Sequence, residues 1–396
     1  MTYLNLPAAD LKIAGGYQTA LEISRQPEVW EKTAKKVSNG FEAINAFIQS
    51  AFKEVDQIIL TGAGSSSFIG HSLSGILFSH FNTYCHPVPT TDIVSFPEYY
   101  FNPSHISLII SFARSGESPE SVAALELADK YNKKCFHFII TCDGSGALAN
   151  YKSKNPVQVF ILPAEANDKG LAMTSSYTSM LLVGLLSTLG SKDYKIDFSD
   201  QLEQSIGVAR NIIMKECENL KAIAGKPFQR AVFLGSGALH GTAMEAALKL
   251  QELTSGHIIC KSDTFLGFRH GPKAVINEDT LVVYFFSNNE YARQYEIDLV
   301  NSMNKGTGAL FNLGIGEKVI NSDQLDCQIH AGVPDVQLKE YFQPLSYILP
   351  AQMLAFFKSM QLGLAPDMPS SNGAISRVVE GVTIYPFPKN GERILN

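Results

Sequence analysis

The chain has 396 residues, 45% of them hydrophobic and 18% charged, which is the composition of a globular protein with two or three domains and an ample core. Its formal net charge is −6 and it has no Lys/Arg-rich block, which argues against nucleic acid or an anionic membrane as the main partner. The six cysteines form no CxxC pair, so nothing indicates a zinc cage or a disulfide framework, and reduced thiols in a cytoplasmic protein are expected.

Residues 1–54 are predicted to form an N-terminal helical arm. Pro27 begins or breaks a helix, and apolar residues recur with a helical period between Glu31 and Phe52. The first twelve residues lack the basic and apolar regions of a signal peptide. The longest apolar runs, such as MLLVGLL at 180–186, are too short to span a bilayer, so no membrane segment is expected.

From Val55 onward the pattern changes to strand–turn–helix units. Short apolar runs predict buried strands, and longer segments of helical period predict the helices between them. Strands that alternate with helices indicate an α/β fold in which a parallel sheet is flanked by helices on both faces. The predicted strands of this half are 58–60, 108–112, 135–141 and 157–162, and the predicted helices include 68–81 and 174–189.

The second half of the chain repeats the pattern of the first at a nearly constant offset. A constant offset across several landmarks indicates two copies of one α/β unit. We therefore predict a first domain over 55–200 and a second over 201–396, with strands at 231–234, 281–286 and 309–313 in the latter. The aligned landmarks, 171 to 173 residues apart, are Gly64/Gly237, Ser115/Ser287, Ile140/Asn312, Pro163/Pro334 and Gly190/Gly363.

Two polar turns follow predicted strands of the first half, at 65–67 and 114–118. Ligands of open parallel sheets bind beyond the carboxyl ends of the strands. Hydroxyls, one guanidinium and the N–H groups of a helix N-terminus together make a cradle for phosphate. The alternative is that these serines only cap helices. A nicotinamide site is disfavoured, because neither glycine turn completes GxGxxG.

The region 231–273 carries the acid–base groups. Glu245, Lys249 and Glu252 fall at i, i+4 and i+7 of a predicted helix, so two carboxylates and an ammonium share one face. His270 follows in a segment reading Arg-His-Gly-Pro. Such groups can move protons around a carbonyl. The alternatives are a solvated helix face for the first three and a loop histidine held by backbone for the fourth.

These motifs resemble those of a known family. The segment 109–118, IISFARSGES, resembles the SxSGET phosphate loop of sugar isomerase (SIS) domains. The segment 245–252, EAALKLQE, together with RHGP at 269–272, resembles the signature of the isomerase half of glucosamine-fructose-6-phosphate synthase and its deaminase relatives. The overall likeness is to the galactosamine-6-phosphate deaminase/isomerase family, also called tagatose-6-phosphate ketose/aldose isomerase. It implies two tandem flavodoxin-like SIS domains.

The resemblance also implies roles for individual residues. Glu252 matches the carboxylate that moves a proton between C1 and C2, and Glu245 and Lys249 match neighbours that orient groups and handle oxygen protons. His270 matches a ring-opening histidine that reaches the neighbouring subunit's site, which implies a homodimer with shared active sites. The positions that match phosphate ligands are Ser66, Ser115 and Ser118, with Arg114 in place of a glutamine.

Two departures from the synthase pattern bear on the chemistry. Ala113 replaces the first serine of the phosphate loop, which reduces its set of hydroxyls. In the segment 372–377, Ser376 stands where the synthase has its Schiff-base lysine, and Arg377 beside it cannot form an imine. This segment is expected to close over the substrate instead. No glutamine amidotransferase domain precedes the arm, so ammonia transfer from glutamine is not expected.

The expected activity is therefore a deaminating aldose–ketose isomerisation of galactosamine 6-phosphate, without cofactor or metal. Three alternatives stay open at this point: a plain sugar-phosphate isomerase, a glucosamine-6-phosphate deaminase, and a non-catalytic sugar-phosphate-binding regulator. The presence of both Glu252 and His270, and the lack of a basic stretch, weigh against the regulator.

Overall fold

The computed structural model describes residues 1–190, 195–303, 308–333, 337–370, 373–378 and 381–387. The strands are β1 Thr2–Tyr3, β2 Leu6–Pro7, β3 Gln57–Thr61, β4 Tyr84–Pro87, β5 Ile106–Ala113, β6 Lys134–Thr141, β7 Val157–Ile161, β8 Arg230–Gly235, β9 Ile259–Asp263, β10 Thr280–Phe285, β11 Phe311–Gly316 and β12 Cys327–His330. The helices are α1 Ala8–Ile13, α2 Tyr17–Ser24, α3 Gln26–Asn39, α4 Phe41–Phe52, α5 Ser65–Phe81, α6 Thr90–Ser95, α7 Pro119–Tyr131, α8 Ser175–Leu189, α9 Lys195–Lys215, α10 Cys217–Ala224, α11 Ala238–Leu253, α12 Phe265–Phe268, α13 Glu290–Asn301 and α14 Gln343–Gln361.

Two five-stranded parallel sheets organise the chain. Their strand orders are β4-β3-β5-β6-β7 and β9-β8-β10-β11-β12. Both orders are 2-1-3-4-5, the flavodoxin-like arrangement, so the predicted α/β class and the tandem repeat are confirmed. The central strands are apolar along their length because helices cover both faces of each sheet. Helices α8 and α14 are buried along nearly their whole length and join the two halves in one core.

The repeat is also visible in backbone geometry. Gly64 and Gly237, 173 residues apart, precede α5 and α11 with φ/ψ of 55/−129° and 58/−130°. The predicted equivalence of Ile140 with Asn312 is wrong. Ile140 pairs with Phe112, whereas Ile315 pairs with Phe285, which lies 173 residues after Phe112. The connection before β11 is longer than that before β6, so a fixed offset fails there. Pro334 lies outside the described residues.

The edge strands β4, β9 and β12 were missing from the prediction. They are only partly buried and mix polar with apolar residues, so they give no apolar run. The predicted strand 309–313 is shifted to Phe311–Gly316 for the same reason, since its start is partly exposed. The arm is confirmed as helical, with α3 and α4 separated at Gly40.

Helices α5 and α11 cross at equivalent positions. A Cβ atom on Gly241 would lie 2.4 Å from the carbonyl oxygen of Phe68, its counterpart 173 residues earlier. The two backbones therefore touch at this point. Each helix begins at the carboxyl end of its own sheet, and its second half extends toward the other sheet. Among the described helices, none is long and apolar enough to cross a membrane.

Candidate active site

A cavity of about 490 Å³ opens at the carboxyl end of the first sheet. We call it the first cavity. Its walls come from the start of α5, the loop after β5, the last turn of α11 and residues 373–378, which we call the closing segment. Seven residues that were predicted from sequence line it: Ser66, Arg114, Ser115, Ser118, Glu252, Ser376 and Arg377. Elements that are far apart in the chain thus bring these residues together.

The start of α5 supplies one wall of the first cavity. A Cβ atom on Gly62 would lie 2.9 Å from the carbonyl oxygen of Phe112, so only glycine allows the turn to pass this strand. Gly64 has φ of +55°, and within the described residues no atom lies within 4 Å of a Cβ placed on it. The space in front of the helix is therefore open. The first turn of this 17-residue helix borders that space, where the helix dipole favours an anion, although the N–H groups of Ser66 and Ser67 are already bonded to the carbonyls of Ala63 and Gly64.

The loop after β5 supplies the facing hydroxyls. Gly116 adopts φ of +69°, which turns the chain sharply between Ser115 and Ser118. Ser118 occupies the N-cap position of α7, but its side chain makes no capping hydrogen bond. The alternative reading of this serine as a simple helix cap is therefore wrong. Its hydroxyl, like that of Ser115, belongs to the lining of the first cavity.

Arg114 is buried at the base of the same loop, and its guanidinium binds backbone. It donates to the carbonyl oxygens of Gly170 at 3.5 Å, Leu171 at 2.9 Å and Arg377 at 2.5 Å. Burial lowers the pKa of Arg114, and nearby Asp168 opposes that shift. A guanidinium has five N–H donors. Within the described residues, these three bonds leave two donors without a partner, and Arg114 lines the first cavity.

Lys249 joins the two halves of the site. Its Nζ donates to Ser65 Oγ at 3.0 Å and to Glu252 Oε2 at 2.5 Å, and lies 3.5 Å from Glu245 Oε1. Burial lowers the pKa of Lys249, but Glu245 and Glu252 raise it by more, so the ammonium form is stabilised. The alternative of a solvated helix face is wrong, because the side chains of Lys249 and Glu245 are fully buried.

The two carboxylates of α11 have different surroundings. Glu245 lies behind Lys249, where burial raises its pKa to about 8 although Lys249 acts in the opposite direction. Glu252 is 24% exposed and lines the first cavity. One carboxyl thus lies in the interior, where burial favours its protonated form, and the other is presented to a ligand. Environments that separate two carboxyl groups in this way are typical of acid–base sites.

His270 lies apart from the first cavity. It is exposed, in the turn between α12 and the short 3₁₀ helix Pro272–Val275, and is not part of the cavity lining within the described residues. Gly271, with φ of +109°, allows this turn. The single chain therefore does not bring His270 to Glu252. Its predicted action on a neighbouring subunit's site stays a prediction.

The polar side chains of the closing segment make hydrogen bonds within the protein. Arg377 Nε donates to the carbonyl oxygen of Asp168 at 2.9 Å, and its Nη2 donates to Asn167 Oδ1 at 2.7 Å. Ser376 Oγ donates to the carbonyl of Val378 at 2.6 Å. The guanidinium of Arg377 is thus directed to the loop before α8. Asn372, which begins the predicted segment, lies outside the described residues.

The lining residues that were not predicted individually include Ser65, Leu171 and Met173. Ser65 belongs to the hydroxyl triplet that the sequence did indicate, and its contact with Lys249 distinguishes it from Ser66. Leu171 and Met173 come from an irregular loop without periodicity. No local signal marks them, because the tertiary structure alone places this loop at the cavity.

Comparison with known proteins adds an independent observation. Residues 51–189 match the SIS domain family. The chain is 38% identical over 391 residues to the D-galactosamine-6-phosphate deaminase AgaS of Shewanella sp. (strain ANA-3), covering 98% of this chain and 96% of that protein. The chain belongs to the galactosamine-6-phosphate deaminase family. The predicted resemblance is therefore confirmed.

Solved structures agree with this family assignment. The tagatose-6-phosphate ketose/aldose isomerase of Escherichia coli superposes with a TM-score of 0.85 at 35% identity, over 98% of this chain and 100% of that chain. A Clostridium novyi NT protein, provisionally assigned the same activity, gives a TM-score of 0.93 at 40% identity, over 98% and 100%. Both solved structures thus share this architecture along essentially the whole chain.

Proposed function

We propose that the protein converts galactosamine 6-phosphate and water into tagatose 6-phosphate and ammonia. The observation that carries the proposal is the position of Glu252, which lies on the wall of the first cavity opposite an anion cradle and is held by Lys249. The names of the family members support the same substrate. This reaction is formally a deaminating hydrolysis (EC 3.5.99.- type), and the plain isomerisation (5.3.1.- type) is its nearest alternative.

The phosphate of the substrate binds at the start of α5 and in the loop after β5. The start of α5, the residues Ser66, Ser115 and Ser118, and the cation of Arg114 surround that space. The charge of the guanidinium complements a phosphate, because Arg114 stays cationic despite its burial. Phosphate binding fixes the far end of the sugar, so that C1 and C2 lie near Glu252.

Glu252 acts as the base. The open-chain aldehyde acidifies the C2–H bond; Glu252 removes this proton and returns it to C1, which produces an enolamine and then a C2 ketimine. Water adds to the ketimine carbon, the C2–N bond breaks, and ammonia leaves as the ketose forms. The electrons move only within the sugar, so we propose that neither a redox cofactor nor a metal is needed.

Lys249 acts through its contacts rather than on the substrate directly. Its ammonium is buried behind Ser65 and Glu252 and touches both. It holds Glu252 in one orientation and polarises the Ser65 hydroxyl, which lines the first cavity and faces the developing charge on the sugar oxygen. Glu245 completes this arrangement as the third member of the buried group.

His270 opens the sugar ring in the site of a second subunit. Its exposed position in the described chain suits contact with a partner, and the family resemblance supplies the role. We therefore propose a cytoplasmic homodimer with shared active sites, acting on a small sugar phosphate. The closing segment, with Ser376 and Arg377, covers the bound sugar.

The test is ammonia release, measured by a coupled assay with galactosamine 6-phosphate and glucosamine 6-phosphate side by side. Release from the galacto sugar alone is expected. Release from the gluco sugar alone would identify a glucosamine-6-phosphate deaminase. If neither sugar released ammonia, interconversion of tagatose 6-phosphate with its aldose would separate a plain isomerase from a non-catalytic regulator.

A further inference from the structure

A second cavity, of about 440 Å³, opens at the carboxyl end of the second sheet. We call it the second cavity. Its lining combines the start of α11, the loop after β9, residues Glu340 and Tyr341, and one face of α5. It therefore lies on the opposite side of the α5–α11 crossing from the first cavity, and the proposed reaction does not use it.

The second cavity is the internal counterpart of the first. The offset of 173 residues pairs the three positions Ser72, Ile76 and Ser79 of α5 with Glu245, Lys249 and Glu252 of α11, in that order. All three α5 residues line the second cavity. The repeat thus preserves a cavity of ligand size, but hydroxyls and an isoleucine stand where the acid–base groups would be. The second cavity lacks a base at the position of Glu252.

The anion cradle of the second half is already filled. A Cβ atom on Gly237 would lie 2.7 Å from Glu340 Oε1, whereas the matching space at Gly64 is open. The carboxylate of Glu340 therefore lies at the start of α11, where a ligand phosphate would otherwise bind. Phe286 and Ser287, which follow β10, carry no charge where Arg114 follows β5, and no Lys or Arg is found in the described lining. The second cavity consequently disfavours phosphate.

Two imidazoles and several hydroxyls form the rest of the polar lining. The rings of His71 and His240 lie edge to face, with centroids 5.7 Å apart. Burial lowers the pKa of both; His240 adds to this effect at His71, and Asp263 opposes it at His240, so the neutral forms are favoured. Neutral imidazoles donate and accept hydrogen bonds. Together with the hydroxyls of Ser79 and Thr264, they suit a polyol.

We propose that the second cavity binds an amino sugar that carries no phosphate. Its ammonium group pairs with Glu340, and its hydroxyls bind His71, His240 and the neighbouring hydroxyl side chains. The hexosamine class rests on the proposed function, since the second cavity derives from a duplicated site for that class of sugar. The ligand stays unreacted because Ser79 replaces the base.

Binding is tested by calorimetry with galactosamine and glucosamine as probes. The Glu252→Gln variant is first saturated with galactosamine 6-phosphate, so that the first cavity is occupied. The free hexosamine is expected to bind nonetheless, and a hexose without the amine to bind at least tenfold more weakly. Loss of hexosamine binding on saturation, equal binding of the plain hexose, or no binding at all would each overturn the proposal.

Two further variants locate the ligand. Glu340→Gln, which keeps the side-chain size, and Ser79→Phe, which fills the cavity from an exposed position, are each expected to weaken hexosamine binding at least tenfold. The control is Glu290→Gln, on the exposed face of α13. Unchanged binding in both test variants would place the hexosamine elsewhere and refute the proposal.

Measurements of ammonia release distinguish failure of hexosamine binding at the second cavity from failure of the proposed reaction at the first. Glu340→Gln and Ser79→Phe are expected to release ammonia from galactosamine 6-phosphate at the wild-type rate. If ammonia is released normally but no hexosamine binds, the second-cavity proposal alone is wrong. If hexosamine binds in the Glu340-dependent manner but no amino sugar phosphate reacts, the proposed function alone is wrong.

Discussion

The guanidinium of Arg114 donates a hydrogen bond to the backbone carbonyl of Arg377, and the guanidinium of Arg377 donates in turn to the carbonyl of Asp168. Arg114 thus fixes backbone of the closing segment, and Arg377 fixes backbone of the loop before α8. Ser370 also holds the closing segment, since its carbonyl oxygen accepts from the N–H group of Gly373 and its hydroxyl accepts from that of Ile375. The placement of the closing segment over the substrate should therefore depend on the side chains of Arg114 and Arg377.

We predict that Arg377→Ala raises KM for the sugar phosphate about tenfold or more. Hydrogen bonds to a charged group contribute about 1.5–3 kcal/mol, and this variant removes those that hold the closing segment. The thermal midpoint should change little, because the segment lies outside the core. Arg210→Ala, which removes an exposed arginine paired with Glu31, is the control. An unchanged KM in Arg377→Ala would show that the segment does not cover the substrate.

Arg114→Ala should raise KM more than Arg377→Ala does. The substitution removes the cation from the anion cradle and also releases the carbonyls of Leu171 and Arg377. Inhibition by inorganic phosphate distinguishes the two effects. Weaker inhibition is expected in Arg114→Ala and normal inhibition in Arg377→Ala. If phosphate inhibited both variants as it does the wild type, Arg114 would be a structural residue only.

We expect Glu252→Gln to lower kcat by about two to four orders of magnitude, the range typical of a general base. The amide keeps the size of the side chain and can still bind Lys249 through its oxygen, so the circular dichroism spectrum and thermal midpoint should match the wild type. Glu203→Gln, an exposed change on α9, serves as the control. A variant that kept most of its turnover would remove Glu252 from the mechanism.

The buried carboxyl of Glu245 should make stability fall as the pH rises. Its pKa is raised by burial from 4.5 to about 8 in the folded chain, so the folded state holds a proton that the unfolded state loses. This contribution is complete below about pH 4 and is lost as the pH passes 8. Urea unfolding at pH 6 and pH 9 should show a smaller decrease in Glu245→Gln than in the wild type. Equal decreases would mean that Glu245 is charged at neutral pH.

Hybrid dimers test the predicted role of His270. Subunits carrying Glu252→Gln and His270→Asn, with different tags, are expressed together and purified as the hybrid. If each site combines Glu252 of one subunit with His270 of the other, the hybrid contains one intact site and regains about half of the wild-type activity. Sites confined to one subunit would leave the hybrid as inactive as its parents.

The decrease in the free energy of unfolding at acidic pH should depend on Asp129. Burial raises the pKa of this carboxyl, but hydrogen bonds from His137, Ser153 and Asn155 lower it by more, so the net shift is downward. Its contribution is therefore present above the ordinary pKa of about 4 and is lost as the pH falls further. Asp129→Asn should be less stable than the wild type at pH 7, with the difference shrinking toward pH 3. A constant difference would contradict the assignment.

Much of the fold was predictable because its central strands and long helices carry strong periodic patterns. The residues of the first cavity were predictable for a related reason. Ser66 and Ser118 follow strands directly, so the end of each strand fixes their place. Glu245, Lys249 and Glu252 needed only the geometry of one helix. The short edge strands lacked this information, since half-exposed segments of four or five residues have no distinctive pattern.

Other features depend on contacts between distant parts of the chain. The sequence suggested that Arg377 belongs to the site, but its side chain binds Asn167 and Asp168, more than 200 positions earlier. The interaction of Lys249 with Ser65 spans 184 positions. The hydrophobic periodicity of one segment gives no information about contacts between residues so far apart in the chain. The position of Glu340 at the start of α11 is of the same kind, since this residue comes from a 3₁₀ helix of only three residues, Glu340–Phe342, which is too short to carry a periodic pattern.

The contact between Phe68 and Gly241 also affects how natural variants of this protein should be interpreted. A single methyl group at position 241 would meet the backbone of α5 at 2.4 Å, so the two helices would have to separate. Lys249 lies eight residues further along α11, about 12 Å away along the helix axis, and reaches Ser65 across that junction. An alanine allele at this glycine would therefore be recorded as an inactive enzyme, although the residue never meets the sugar.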